Sequence, residues 1–137
     1  MHYCAVIVHP KEVSVVDVRQ MVGEKLVERG EADWFSTDDY RERTFDGKVS
    51  IPFKEFVEKK DIFSVEDPLV FAVIYDGYID RLLIPNYFYE IYRHTDREKI
   101  LALYQKAFYD TQMHLLDLIK DDDEVEDLIV TLLDYHN

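Results

Sequence analysis

Two apolar runs set two residues apart constrain this chain more than any other feature. Leu69-Val-Phe-Ala-Val-Ile-Tyr75 and Tyr78-Ile-Asp-Arg-Leu-Leu-Ile84 flank Asp76-Gly77. A two-residue type I′ turn needs positive φ at both central positions, and Asp-Gly tolerates it. The pattern predicts an antiparallel hairpin. Asp67-Pro68 marks its beginning and Pro85-Asn86 its end. The rest of the chain must supply the strands and helices that cover these runs.

The first candidate is Tyr3 to Val8, short, continuous and apolar. Such a run predicts burial on both faces and a central place in a sheet. His9-Pro10 should stop it, since proline cannot donate to a ladder. Ser14-Val-Val-Asp17 has the form of a capping box. Val15, Val18, Val22 and Leu26 then share one helical face, with Met21 and Val27 flanking it. Gly30 suits a left-handed cap. Gly23 lies inside this helix and costs up to about 1 kcal/mol relative to Ala.

Residues 31–67 read as an insertion between core elements of one domain spanning 1–137. Asp33-Trp34-Phe35 fits a short strand or an anchored loop, and Asp46-Gly47 a turn. Ser50-Ile-Pro52-Phe-Lys-Glu-Phe-Val-Glu-Lys-Lys60 suits a short helix with proline in its first turn. Its Phe53, Phe56 and Val57 would face the core. After the hairpin, Tyr87, Phe88, Tyr89 and Tyr92 make an aromatic patch. A long helix is expected over 97–119, with Ile100, Tyr104, Phe108, Leu115 and Leu118 inward. The last run, Leu128-Ile-Val-Thr-Leu-Leu133, fits helical spacing and a strand alike; its β-branched residues favour a strand. The order is strand, helix, variable region, hairpin, helix, strand. With a strand near Trp34, this gives an α/β (α+β) fold with a ferredoxin-like β-α-β-β-α-β sheet and both helices on one face.

Charge is where composition matters. The net charge is −13. Residues 1–30 and 68–109 are each neutral, whereas 31–67 carry −5 and 110–137 carry −8. Six carboxylates fall within the seven residues from Asp121 to Asp127. Such fields disfavour nucleic acid and anionic membranes as partners and favour basic proteins. No run reaches the roughly 18 apolar residues of a membrane span. The N-terminus lacks a signal-peptide pattern, and a lone Cys4 suits a reducing compartment and a buried thiol.

Asp33-Trp34-Phe35, Phe71-Ala-Val-Ile-Tyr-Asp-Gly77 and Val130-Thr-Leu-Leu-Asp134-Tyr-His136, in this order, resemble a family of small phage-encoded proteins of unassigned biochemical role. The second tryptophan-and-glycine element expected near Trp34 is missing. The resemblance implies a phage origin, hence the cytoplasm of an infected bacterial host, and a mixed α/β layout. It implies no catalytic residues.

The residues announce no reaction. His2, His9, His94, His114 and His136 form no His-x-x-x-His pair. Cys4 could meet His9 or His136 as a thiol–imidazole pair, but a thiol in a central strand is more often core. Asp134 and His136 share a face of any strand, yet a pair so close to the chain end reads as a solvent-side feature. No glycine follows Gly77, so the acidic run is not an EF-hand loop. No catalytic residue, metal or cofactor is expected.

Carboxylates four apart on a helix or two apart on a strand lie roughly 6–7 Å from one another, comparable to the phosphate repeat of one nucleic acid strand. Asp110, Asp117, Asp121, Asp122, Asp123, Glu124, Glu126 and Asp127 are the first candidate set for such mimicry. Asp38, Asp39 and Glu42 are the second, and Tyr87, Tyr89 and Tyr92 would supply an aromatic hot spot. The expected function is a non-catalytic inhibitor of a basic, nucleic-acid-handling host protein, of anti-restriction or anti-CRISPR type. The alternative is a ferredoxin-like homodimer that binds a small ligand or a subunit.

Overall fold

The computed structural model describes residues 2–39, 44–58, 69–83, 98 and 126–137. Strand β1 (His2–Pro10) leads to helix α1 (Val15–Glu28), then to two short strands, β2 (Trp34–Phe35) and β3 (Ser50–Pro52). Helix α2 (Phe53–Glu58) follows β3 directly. The hairpin strands are β4 (Leu69–Tyr75) and β5 (Tyr78–Leu83), and β6 (Leu128–His136) closes the chain. The fold is mixed α+β, with six strands in one sheet and two helices among the described residues.

The strand order is β2-β6-β1-β4-β5, and β3 pairs with β6 further along the same edge as β2. β1 is central, as its unbroken apolar run implied. Tyr3, Ala5 and Ile7 of β1, Val70, Ala72 and Ile74 of β4, and Leu133 and Tyr135 of β6 are part of one core, against which Val18, Val22 and Leu26 of α1 pack. The alternating residues Cys4, Val6, Val8, Phe71, Val73 and Val130 are buried as well.

Local signals behave as their chemistry dictates. Asp76 and Gly77 both have positive φ, 54° and 81°, and the hairpin closes with Tyr75 opposite Tyr78. Ser14 Oγ accepts the Asp17 N–H at the start of α1. Gly30, at φ 76°, ends it: its N–H donates to the Val27 carbonyl and that of Glu31 to the Leu26 carbonyl. This pair of hydrogen bonds is a Schellman motif. The ambiguous last run is a strand, because all nine of its residues find partners on β1.

Two expectations change. Ser50–Pro52 is a strand on β6, and the helix starts only at Phe53. Proline sits at the end of a short edge strand, where a missing N–H costs least. The sheet order also differs from the expected one. β4 lies beside β1 and runs parallel to it, with β5 outside. In a ferredoxin-like sheet the returning hairpin strand would split the first β-α-β unit instead. Of the helix expected over 97–119, only Glu98 is described, and it is helical.

Candidate functional site

The sheet brings strands of the two acidic segments together. β2 and β3 belong to the acidic segment 31–67, and β6 to the acidic segment 110–137. They pair with one another. β1, β4 and β5 come from the two neutral segments. Strands from the two acidic segments, far apart in sequence, are thus neighbours in the sheet.

Three of the candidate carboxylates are held by bases of the same chain. Asp127 pairs with Lys11 at 2.9 Å, and its carbonyl accepts the Lys11 N–H at 2.9 Å. That carboxylate, by hydrogen bond and by charge, pushes the Lys11 ammonium above its ordinary value. Glu126 pairs with Lys54 of α2. The residues just before β6 are therefore tied both to the turn after β1 and to α2. Asp39 pairs with Arg19 at 2.7 Å. Asp38 is exposed, with its N–H on Ser36 Oγ. Glu42, Tyr87, Tyr89, Tyr92, Asp110, Asp117, Asp121, Asp122, Asp123 and Glu124 lie outside the described residues.

Arg19 has a role the sequence reading missed. It sits on the inner face of α1 and is 2% exposed. β2 covers β6 at Tyr135–His136 and β3 covers it at Ile129–Thr131, leaving a gap between them. Arg19 reaches into that gap. Its Nε donates to the Leu132 carbonyl at 2.8 Å, and Nη1 donates to the Thr37 carbonyl and to Asp39. The Ser36 N–H donates to the Asp134 carbonyl beside it. A guanidinium and one loop amide thus satisfy the strand edge where no third strand does. Arg19 Nη2 is buried without a hydrogen-bond partner. The signal was present in the sequence: position 19 falls within the 15, 18, 22, 26 stripe.

A second polar group crosses three strands. Ser50 stands opposite Thr131, and their hydroxyls are 2.6 Å apart. Thr131 Oγ1 lies 2.7 Å from His9 Nε2, and His9 Nδ1 lies 2.9 Å from the Pro10 carbonyl. A carbonyl only accepts, so Nδ1 carries the proton and Nε2 accepts from Thr131. His9 and Thr131 are wholly buried. Burial, the larger effect, pulls the His9 imidazole below its ordinary value, against the Pro10 hydrogen bond.

Asp134 and His136, read as a solvent-side feature, are placed differently from one another. Asp134 is wholly buried, opposite Cys4 in the β1–β6 register. The His136 ring bonds the Asp33 carboxylate at 2.7 Å, at the surface. Cys4 is buried in the core, and its Sγ leans on the Ala5 carbonyl at 3.8 Å. His9, five residues along an alternating strand, belongs to the other face. Among the described residues, no helix is long and apolar enough to cross a membrane. No family model, curated protein or solved structure matches the chain.

Proposed function

We propose that this is a non-catalytic binding protein that engages a basic, nucleic-acid-handling protein through its two acidic segments. The observation that carries the reading is the pairing of β2 and β3 with β6, which joins the −5 and −8 segments. An acidic field steers a basic partner and speeds its encounter. Asp121 to Glu124 lead into Glu126 and Asp127, whose lysine pairs anchor that end of the run. A ligand with one end already anchored loses less entropy on docking. With its likeness to small phage proteins, the chain fits a phage accessory protein that blocks a host defence complex by occupying a phosphate-binding channel.

The paired carboxylates narrow the contact set. Asp39, Glu126 and Asp127 already have cationic partners, so their charge is partly spent within the chain. The other reading, a ferredoxin-like homodimer, calls for the returning hairpin strand beside β1, and β4 occupies that place. Nothing observed favours it.

The test is capture of a bacterial host's basic proteins on the full chain, followed by competition. Bound protein should be displaced by duplex DNA and by rising salt. It should not bind a chain with Asp121, Asp122 and Asp123 changed to Asn and Glu124 to Gln. Retention that is unchanged by salt, or by those four substitutions, sinks the reading.

A further inference from the structure

The row Ser50–Thr131–His9 has a direction. His9 Nδ1–H is committed to the Pro10 carbonyl, so each hydroxyl donates towards the ring: Ser50 to Thr131, and Thr131 to Nε2. Both ring nitrogens are occupied by neutral partners. A second proton on His9 would turn Nε2 into a donor. The Thr131 hydroxyl would have to swing towards Ser50, and the Ser50 hydroxyl away from the row. The new charge would sit in a wholly buried place, where an imidazolium is costly.

The segment over this row is thinly attached. β1 and β6 share nine residue pairs, whereas β3 and β6 share three. One of the three is Pro52, which has no N–H to give. Ser50 is only half-buried. Beyond it, Ile51, Phe53 and Phe56 are buried, and Phe56 packs edge-on against Phe45.

We propose that β3 and α2 form an acid-released strap: protonation of His9 frees residues 50–58 from the edge of β6 while β1, β4 and β6 stay paired. Detachment lets water reach Thr131 and His9 and solvate the imidazolium. The charged groups on the elements around His9 are Lys11 and Glu12 after β1, Asp17, Arg19, Glu24, Lys25 and Glu28 on α1, and Lys54, Glu55 and Glu58 on α2. On and before β6 they are Glu126, Asp127 and Asp134; β4 carries none. Lys11, Lys54 and Arg19 are each paired with a carboxylate, so their charges are offset locally. The strap is independent of the partner-binding reading above. It requires only that the closed form prefers neutral His9, in keeping with the depressing effect of burial.

Hydrogen exchange followed by mass spectrometry on the full chain tests it, with rates corrected for intrinsic pH dependence. Below the ordinary histidine value of 6.5, opening of residues 50–58 should rise about tenfold per pH unit until the closed-state value is reached. Residues 2–10 should stay protected. His9→Gln should make the opening of 50–58 independent of pH. Should that variant not fold, NMR of the unaltered chain decides: the His9 ring and the Ile51 and Phe56 signals must shift at one midpoint below 6.5. Opening that is flat with pH, opening of 2–10 in step with 50–58, or separate midpoints would overturn the strap.

Discussion

Gly23 shows how one residue can look wrong locally and be required globally. In a helix interior, Gly costs about 1 kcal/mol relative to Ala. A Cβ at this position, however, would overlap the ring of Phe35 on β2. Helix and strand approach this closely because the side chain is absent. Overpacking of this kind costs about 1–3 kcal/mol, so Gly23→Ala should lower stability in a denaturant melt despite its better helix propensity. Phe35→Leu in the same background should recover part of the loss. Arg19 offers a second residue-scale test. Arg19→Met keeps the stem but strands the Leu132 and Thr37 carbonyls, and charge-assisted bonds of this type contribute about 1.5–3 kcal/mol. Asp39→Asn removes only the half-exposed partner and should cost under about 1 kcal/mol. Chemical denaturation of both variants checks the order, and an equal loss from the two would contradict the edge-filling role. Arg19 was hard to read from sequence because an arginine within an apolar stripe usually snorkels outward. Here the gap between β2 and β3 offers it acceptors inside.

At the scale of elements, strength of signal tracked how local its cause was. The Asp76-Gly77 hairpin depends on two φ values and was fully legible. Gly77→Ala forces a side chain into φ 81°, a strain of about 1 kcal/mol or more. The melting temperature should fall accordingly, while Asp76→Asn, which tolerates positive φ, should leave it nearly unchanged. The ends of α1 were equally plain, since the Ser14 cap and the Gly30 Schellman turn use only neighbours in sequence. β3 was not. Ser50-Ile-Pro52 satisfies the rules for a helix start and for a short edge strand alike, and the choice fell to β6, which lay open to pairing at Ile129–Thr131. β6 itself was decided the same way, by its nine partners on β1.

For the whole molecule, net charge dominates the electrostatics. The chain carries −13, and the strands of its two acidic segments lie side by side. Self-repulsion in such a body opposes folding. Added salt, by shortening the screening length from about 30 Å at 0.01 M to about 8 Å at 0.15 M, should raise the melting temperature of the isolated chain. Over the same range it should weaken binding to a basic partner. The opposite signs separate the two effects in one salt series, read by calorimetry for stability and by titration for affinity. A melting temperature that falls with salt would mean that pairs such as Lys11–Asp127 and Lys54–Glu126 outweigh the repulsion.

Sequence by itself determined what neighbours in the chain can settle: the hairpin, the caps of α1, the apolar strand at the centre of the sheet, and the two segments that hold the acid excess. These rest on φ preferences, on side-chain periodicity and on counting charges. Tertiary structure alone decided which strand lies beside β1 and that β2 and β3 share the edge of β6. It decided too that Arg19 turns inward and that His9, Thr131 and Ser50 meet. Each of those depends on groups far apart in the chain, whose backbone and polar atoms find partners only once the sheet has assembled, and no local preference encodes which distant partner that will be.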